Sequence, residues 1–323
     1  MPRCLIVQPI HASGLDLLAQ AGIEPVAAPS YDAPAIVRAM VGMDAVITRD
    51  AGLGAPAMAA APTLRVIGVH GVGTDPVDIE EATARGICVV NTPGTNVRAV
   101  AEQALALTLA LAKAVPLADA AARAGDFGFK YRVPLRELAG ATFGVVGFGA
   151  IGRATATLAG AFGMRVIGVS RSQPDAAFLE AGVARADSLD ALLRASDVVS
   201  LHLPNTAATR GVIGARELAL MKPGAFLINT SRGALIDEEA LILALNERRI
   251  GGAGLDVFAH EPLAADSPFT RLDNVVLSPH IAGSAVEALQ RTALRVAEQV
   301  IDVLAGRRPP HLVNPQVWQE GVS

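Results

Sequence analysis

The sequence predicts an α/β fold with two doubly wound parallel sheets, in which one domain is inserted into the other. Three observations support this prediction. Strand-like and helix-like runs alternate from Cys4 to Thr92, and a second series of strands begins at Phe143. The last helix-like segment, residues 285–305, has no strand left to precede in the second series, so we expect it to pack on the first domain. Such alternation is typical of parallel sheets covered by helices on both faces.

In the first series, each strand-like run is short and apolar and is followed by a helix-like segment. The predicted strands are residues 4–7, 24–27, 45–48, 64–69 and 87–91, and the predicted helices are 14–21, 33–41, 55–60 and 77–85. The later strands are 165–169, 198–202, 225–229, 254–258 and 275–278. No glycine-rich turn of phosphate-binding spacing follows Val7, so the first domain is not expected to bind a nucleotide.

A glycine turn organises the second domain. The run Phe143–Val146 leads into Gly147, Gly149 and Gly152, which have the G-x-G-x-x-G spacing, and an alanine-rich helix follows. The first glycine permits a tight turn, the second admits a pyrophosphate, and the third lets the helix pack on the strand. The amino end of the helix then directs its free N–H groups at the phosphates. We therefore predict a Rossmann dinucleotide-binding domain.

Composition narrows the range of partners. The chain has 323 residues, a formal net charge of −4, and 51% hydrophobic but only 4% aromatic residues, so small aliphatic side chains must build the core. The mild acidic balance argues against nucleic acid as a partner.

The most apolar helix, residues 100–115, contains charged residues, which argues against a membrane span. Because a strand begins almost at Met1, no signal peptide is expected. We predict a cytoplasmic protein without a metal site, since no Cys/His spacing suggests zinc.

The helix of residues 101–114 carries alanine and leucine on nearly every face. A helix that is apolar all round must be buried on several sides. We expect it to cross between the two domains and to meet a partner subunit, which makes a homodimer the predicted assembly.

Polar residues follow three strands of the second domain. Arg232 follows the strand 225–229, Glu261 follows 254–258, and His280 follows 275–278. Ligands of open parallel sheets bind outside the carboxyl ends of the strands, so the three side chains should meet at one rim. Arginine binds carboxylates, and histidine exchanges protons near neutral pH. Beside a nicotinamide, this set indicates hydride transfer between a 2-oxo acid and a 2-hydroxy acid.

The chain resembles the D-isomer-specific 2-hydroxyacid dehydrogenase family, which includes phosphoglycerate dehydrogenases and glyoxylate/hydroxypyruvate reductases. The resemblance lies in the glycine turn and in six further motifs: residues 71–75 (GVGTD), 91–94 (NTPG), 221–224 (MKPG), 229–233 (NTSRG), 254–258 (GLDVF) with Glu261-Pro262, and 278–280 (SPH). It implies a Rossmann domain of residues 98–285 inserted in a flavodoxin-like substrate domain of residues 1–97 and 286–323.

The resemblance also implies roles for individual residues. His280 would be the acid/base paired with Glu261, and Arg232 would hold the substrate's carboxylate and carbonyl. Backbone N–H groups of Val72 and Gly73 would also bind the carboxylate, and Asn96 would line the substrate pocket. The implied cofactor contacts are Gly147, Gly149, Ala150, Ile151, Gly152, Ser170, Arg171, Ser172, Thr230, Ser231, Asp256, which would meet the nicotinamide carboxamide, and Gly283.

The sequence departs from the usual dinucleotide-binding pattern at one position that bears on the choice between NAD and NADP. An acidic residue usually follows the fingerprint by about 20 positions and binds the adenosine ribose. Ser170 stands at that place, and Arg171 and Ser172 follow it. Without the carboxylate, a 2′-phosphate meets no repulsion and Arg171 can bind it, which predicts NADP in preference to NAD. The alternative is an ordinary surface arginine on an NAD enzyme.

The prediction is therefore a reductase of glyoxylate or hydroxypyruvate. Formate oxidation is disfavoured, because formate dehydrogenases of this family carry glutamine where this chain has Glu261. The alternatives are an NAD-dependent enzyme like D-3-phosphoglycerate dehydrogenase and a non-catalytic, dinucleotide-sensing corepressor. Val69 offers no cation for a phosphorylated substrate, although His70 could compensate.

Overall fold

The computed structural model describes residues 1–318, which form two compact units. Of these residues, the first unit contains Met1–Asn96 and residues 283–318, and the second contains Val97–Ala282. Each unit is built on one sheet, and the named strands pair only in parallel in the described part of the chain. The predicted fold class is confirmed.

The first unit has five strands in the order β2-β1-β3-β4-β5, which is the flavodoxin-like order. The strands are β1 (Arg3–Ile6), β2 (Glu24–Ala27), β3 (Ala45–Thr48), β4 (Val66–Val69) and β5 (Cys88–Val90), and the helices between them are α1 (Ala12–Gln20), α2 (Ala33–Ala39), α3 (Ala55–Ala59) and α4 (Ile79–Ala84). Aspartates begin two of these helices: Asp32 accepts a hydrogen bond from the Ala35 N–H, and Asp78 accepts one from the Glu81 N–H.

The second unit has seven strands in the order β12-β11-β10-β9-β6-β7-β8. The strands are β6 (Thr142–Val146), β7 (Arg165–Val169), β8 (Ala184–Arg185), β9 (Val198–Leu201), β10 (Phe226–Asn229), β11 (Gly252–Leu255) and β12 (Val275–Leu277). The helices are α5 (Val97–Ala112), α6 (Val115–Arg123), α7 (Ala150–Ala161), α8 (Asp175–Glu180), α9 (Leu189–Ala195), α10 (Ala215–Leu220) and α11 (Glu238–Asn246). The strand order reverses between β6 and β9, the usual ligand crevice of such sheets.

The last helix, α12 (Val286–Leu304), lies in the first unit, where it packs on α1 and β4. Two glycines allow it to lie close to its neighbours. A Cβ atom on Gly14 of α1 would lie 2.8 Å from the carbonyl oxygen of Ala293, and one on Gly68 of β4 would lie 2.6 Å from Cγ2 of Val296. Val296 and Ala293 are fully buried there, so α12 completes the core of this unit.

Helix α5 is buried within the second unit, where it packs against α7, β10, β11 and β12. Gly254 in β11 makes room for it, because a Cβ there would lie 2.9 Å from the Cβ of Leu107. The apolar character of α5 is thus explained without a partner subunit. Over residues 1–318, no single helix has the length and hydropathy of a membrane span; only α5 and α6 taken together, with a 56° bend between them, pass on length and composition.

Two features of the second sheet differ from the sequence prediction. Strand β11 begins at Gly252 and ends at Leu255, whereas residues 254–258 were predicted, because its pairing with β10 stops where β10 ends, at Asn229. Asp256 therefore follows the strand instead of lying inside it. Strand β8 was not predicted, since its two residues pair with Ile167 and Gly168 of β7 and are too short for a periodic pattern.

Candidate active site

The turn between β6 and α7 has the close approaches that its glycines predict. Gly147 has φ 95°, and a Cβ on it would lie 2.3 Å from the carbonyl oxygen of His202. A Cβ on Gly152 would lie 2.1 Å from the carbonyl oxygen of Gly147, whereas one on Gly149 would meet no atom within 4 Å. The open space at Gly149 lies at the N-cap of α7, just before Ala150 and Ile151, where no side chain caps the helix. This cradle fits the pyrophosphate of a dinucleotide.

The loop after β7 is shaped by a hydroxyl at the position where an acidic residue was expected. The Oγ atom of Ser170 accepts hydrogen bonds from the backbone N–H groups of Ser172 and Gln173, both at 3.3 Å. Arg171 and Ser172 are exposed. The guanidinium of Arg185 on β8 donates to the Ser170 carbonyl at 3.0 Å and pairs with a carboxylate of α8. The loop thus presents a cation and two hydroxyls.

The segment after β10 is braced by Asn229. Its Oδ1 accepts from the N–H of Ser231, and its Nδ2 donates to the Arg232 carbonyl at 2.8 Å. The Ser231 hydroxyl donates to the Leu201 carbonyl at 2.7 Å. In contrast, the Thr230 hydroxyl oxygen is buried and has no partner in the described residues. Thr230 was predicted to contact the cofactor, and an unsatisfied buried hydroxyl at this rim fits a bound ligand.

A second glycine brings the rims of β10 and β11 together. A Cβ on Gly233 would lie 1.9 Å from the carbonyl carbon of Phe258, so only glycine lets the two loops pass this closely. The approach places the charge of Arg232 near enough to Glu261 to lower the pKa of that carboxyl. Two of the three predicted catalytic residues therefore share this rim.

The third, His280, pairs with Glu261 directly. Nδ1 of His280 lies 2.7 Å from Oε2 of Glu261, and Oε1 of the same carboxylate accepts from the Phe258 N–H at 2.9 Å. Both side chains are about one third exposed. Burial raises the pKa of Glu261, but the hydrogen bonds from His280 and Phe258, together with nearby positive charge, outweigh it and keep that pKa below its ordinary value. The carboxylate is thus ionised where it holds the imidazole.

Asp256 holds the backbone around His280. Its buried carboxylate accepts hydrogen bonds from the Ser278 hydroxyl, from the Ile281 N–H at 3.0 Å and from the Ala282 N–H at 2.8 Å. The His280 N–H donates to the Asp256 carbonyl at 2.8 Å. The predicted contact of Asp256 with a nicotinamide carboxamide stays a prediction, while its contacts with this turn are direct.

In the first unit, the loop after β4 has free N–H groups. The carbonyl of Gly71 accepts from the N–H and hydroxyl of Thr92, and that of Val72 accepts from Nδ2 of Asn91 at 2.7 Å. Within residues 1–318, the N–H groups of Val72 and Gly73 donate to no protein acceptor. A loop with anchored carbonyls and free amides is suited to bind an anion.

Three other predicted or suspected positions lie in the first unit. Gly283 and Asn96 are in contact, since a Cβ on Gly283 would lie 3.1 Å from Nδ2 of Asn96, whose Oδ1 is buried without a partner. His70 is buried, and its Nε2 also has no partner in the described chain. Burial and the charge of Arg49 lower the pKa of His70 to about 4, so the ring is neutral at physiological pH.

Sequence reasoning missed three polar residues. Nε2 of His202 lies 3.0 Å from the Ser200 hydroxyl, and its enclosed Nδ1 has no partner; burial lowers the pKa of His202 to about 4. His202 follows β9, so the strand-end rule that located Arg232 could have found it. Gln103 and Arg185 lie within a helix and a short strand, where the strand-end rule does not apply.

Comparison with known proteins identifies a family and relatives over most of the chain. Residues 105–282 match the family model described as the D-isomer specific 2-hydroxyacid dehydrogenase, NAD binding domain. A glyoxylate reductase of Thermococcus litoralis is 48% identical over 264 residues, covering 80% of this chain and 79% of the relative. A D-3-phosphoglycerate dehydrogenase of Methanocaldococcus jannaschii is 38% identical over 322 residues, covering 99% of this chain but 61% of the relative.

A solved structure supports the same assignment over the whole chain. The NADPH-dependent glyoxylate/hydroxypyruvate reductase of Sinorhizobium meliloti, in complex with NADP and malonate, superposes with a TM-score of 0.87 at 30% identity, covering 100% of this chain and 99% of the other. The chain therefore belongs to the D-isomer specific 2-hydroxyacid dehydrogenase family and is an NAD(P)-dependent oxidoreductase acting on the CH–OH group of its donors.

Proposed function

We propose that the protein is an NADPH-preferring reductase of small, unphosphorylated 2-oxo acids, with glyoxylate and hydroxypyruvate as its substrates. The observation that carries this proposal is the Glu261–His280 pair, 2.7 Å apart, on the same rim as Arg232. His280 provides a proton donor, and Arg232 provides a carboxylate-binding cation, at the strand ends of a dinucleotide-binding sheet.

The protein's own residues would act on the substrate as follows. Arg232 binds the substrate's carboxylate and polarises its carbonyl. In the first unit, the free N–H groups of Val72 and Gly73 form a loop that can bind an anion. His280 donates a proton to the carbonyl oxygen from Nε2, because its Nδ1 is bonded to Glu261. Glu261 orients the ring and stabilises its protonated form. When bound, the nicotinamide supplies the hydride, and the free Thr230 hydroxyl and the Gly149 turn are the groups proposed to hold the cofactor.

The preference for an unphosphorylated substrate follows from the end of β4. Val69 is apolar and buried, and the ring of His70 is neutral, so neither residue supplies a cation at the end of β4. The positive charge near His70 is that of Arg49, whose Nη1 donates to the Pro9 carbonyl at 3.2 Å. A substrate phosphate would need cations to replace its hydration. The relatives named as glyoxylate reductases support the same choice.

The preference for NADPH follows from the loop after β7. Ser170 replaces the expected carboxylate, and the exposed Arg171 is available to a 2′-phosphate. We expect Arg171→Ala to lower the ratio of kcat/KM for NADPH to that for NADH by about tenfold or more, since a charge-assisted phosphate contact is lost. Arg194→Ala, at an exposed arginine at the end of α9, is the matched control.

The test of the whole proposal is a panel of initial rates. Glyoxylate, hydroxypyruvate and phosphohydroxypyruvate are each reduced with NADPH and with NADH. Faster turnover of the two unphosphorylated acids with NADPH supports the proposal. Selective turnover of phosphohydroxypyruvate would assign the chain to the phosphoglycerate dehydrogenase branch, and a lack of turnover with every 2-oxo acid would favour a dinucleotide-sensing role.

We further propose that the protein is a homodimer. Five apolar side chains are exposed on α6 and the segment that follows it, with Phe127 at 76% and Tyr131 at 82% exposure, and the others are Val115, Leu117 and Leu135. A second copy carries the same patch, and isologous dimers bury such self-complementary surfaces. Replacing Phe127 and Tyr131 by Glu should give monomers in light scattering, whereas Leu179→Glu, at another exposed apolar residue, should not.

A cytoplasmic location is also proposed. Cys4 and Cys88 are both free, buried thiols, and burial raises the pKa of each. Unpaired thiols of this kind suit a reducing compartment. Cell fractionation with antibody detection tests this location.

A further inference from the structure

The backbone of His280 adopts a conformation that its own chemistry disfavours. Its φ is 53°, in the left-handed region that residues with a Cβ rarely occupy. Such a conformation persists only where surrounding contacts determine it. Here the contacts come from Asp256, whose carboxylate accepts the N–H groups of Ile281 and Ala282 and whose carbonyl accepts the N–H of His280. The backbone turn that carries the imidazole is therefore held by Asp256, while Glu261 bonds to the ring itself.

The orientation of the Asp256 carboxylate depends in turn on Ser278. The Ser278 hydroxyl donates its one proton to Oδ1 of Asp256, and both residues are buried. The hydroxyl oxygen accepts from Nε2 of Gln103 on α5 at 3.1 Å. Because the amide nitrogen only donates, it occupies the acceptor side of the hydroxyl and leaves the proton for Asp256. Gln103 thus fixes the direction of the hydrogen bond between Ser278 and Asp256, with Ser278 as the donor.

Gln103 is the polar exception on its side of α5. The neighbouring buried positions of the helix are apolar: Ala99, Val100, Ala104 and Leu107. Thr108, also buried, bonds only back to the Ala104 carbonyl of its own helix. The amide of the half-buried Gln103, in contrast, bonds to a different element of the unit, at Ser278.

We infer that Gln103 is a positioning residue for His280: it fixes Ser278, Ser278 orients Asp256, and Asp256 holds the turn that presents the imidazole. The inference rests on the proposed role of His280 in proton transfer. It concerns the second unit alone, because all four residues lie within Val97–Ala282.

The first test compares Gln103→Met with Thr108→Val. Methionine keeps the length of the side chain but cannot donate, and Thr108→Val removes a buried hydroxyl of the same helix outside the relay. We expect Gln103→Met to lower kcat about tenfold or more, as small misplacements of a reacting group do. Thr108→Val should keep wild-type kcat. Equal kcat in Gln103→Met and wild type would overturn the inference, as would a loss confined to the Kd for NADPH.

A pH profile separates positioning from packing. In Gln103→Glu, the carboxylate faces Asp256 across Ser278 and cannot donate, but the protonated acid carries an O–H donor. The ratio of kcat in Gln103→Glu to kcat in wild type should rise about tenfold between about pH 8 and pH 5, while the same ratio for Gln103→Met stays flat. Flat ratios for both variants would contradict the relay.

A double-mutant cycle and an activity-free measurement complete the design. If Gln103 acts through Ser278, adding Gln103→Met to Ser278→Ala should change kcat less than about twofold, whereas additive losses would overturn the inference. Amide hydrogen exchange of residues 281 and 282 should be about tenfold faster in Gln103→Met than in Thr108→Val. Unchanged exchange would refute the relay even if the 2-oxo acid panel failed, so the failure of this inference is distinguishable from the failure of the proposed function.

Discussion

Two loops with complementary proposed roles differ in how their hydrogen-bonding groups are used. In the turn of residues 278–282, the side chain of Ser278 and the N–H groups of His280, Ile281 and Ala282 all bond to Asp256. In the loop of residues 71–74, the N–H groups of Val72 and Gly73 bond to nothing in the described chain, although the neighbouring carbonyls are anchored.

The two loops differ because the imidazole of His280 must be held in one orientation, whereas the N–H groups of Val72 and Gly73 must stay free to bind a ligand. Proton transfer needs His280 fixed before the substrate arrives, because catalytic geometry tolerates little displacement. Anion binding needs free donors, and a protein acceptor at Val72 or Gly73 would compete with an anionic ligand. The same contrast holds inside the second unit, where Asn229 and Ser231 are bonded but the Thr230 hydroxyl is unpartnered.

The largest expected effect is the loss of activity when His280, the oriented group, is replaced. His280→Ala should lower kcat by about 100- to 10,000-fold, the usual contribution of a positioned acid/base. The thermal midpoint should change little, because the side chain is partly exposed. Steady-state rates and a thermal melt measure both. A loss of less than tenfold in a normally folded variant would show that His280 is not the proton donor and would remove one side of the comparison.

The next largest effect is a change in amide hydrogen exchange on ligand binding, which tests the difference between the two loops without a mutation. Adding NADP and oxalate, a dicarboxylate that resembles a 2-oxo acid, should slow amide hydrogen exchange at Val72 and Gly73 by about a hundredfold when ligand is at about 100 times its Kd. The amides of Ile281 and Ala282 should change less than about twofold, since Asp256 already protects them. Equal protection at both loops would mean that the 71–74 loop is not the anion site.

A smaller effect is expected when the imidazole loses its carboxylate partner. Glu261→Gln should lower kcat for 2-oxo acid reduction by about 10- to 100-fold at neutral pH, because the amide cannot stabilise the protonated ring. The loss should shrink at lower pH, where the ring binds its proton without help. In wild type, the pKa of Glu261 lies below its ordinary value, so the pair should persist until pH falls through that lowered value. Rate–pH profiles of both proteins check this, and parallel profiles would argue that Glu261 does not control the proton.

Much of the fold could be predicted from the sequence, because buried parallel strands are apolar runs and glycines mark the tight turns. Strands β2 and β3 have the predicted ends, and α12 returns to the first unit. The errors are physical in origin. The end of β11 is set by its partner β10 and by the passage of Gly233 beside Phe258, which are tertiary effects that no local pattern records.

In the candidate site, too, features with a local sequence pattern could be predicted, whereas features set by tertiary contacts could not. Arg232, Glu261 and His280 could be located because each follows a strand, and strand ends share a rim. Gln103 could not be located, because its partner Ser278 is 175 positions away and lies beside it only in the folded chain. The positive φ of His280 also depends on contacts with Asp256, so the sequence predicts the acid/base but not the device that orients it.

The smallest expected effect concerns His70, the neighbour of the 71–74 loop whose Nε2 has no partner in the described chain. Burial and the charge of Arg49 lower the pKa of this histidine to about 4, whereas an unfolded chain titrates near 6.5. Between these values the unfolded state binds a proton that the native state excludes, so stability should fall with decreasing pH, by about 1.4 kcal/mol per pH unit for this residue. His70→Gln should remove that contribution from the slope of urea unfolding free energy against pH, leaving the share of His202, while His260→Gln, at an exposed histidine, should keep the full slope. An unchanged slope in His70→Gln would mean that the ring binds its proton equally in the native and unfolded states and is charged in the native state below about pH 6.5. It could then add a cation beside the carboxylate loop, and the case against a phosphorylated substrate would lose its support.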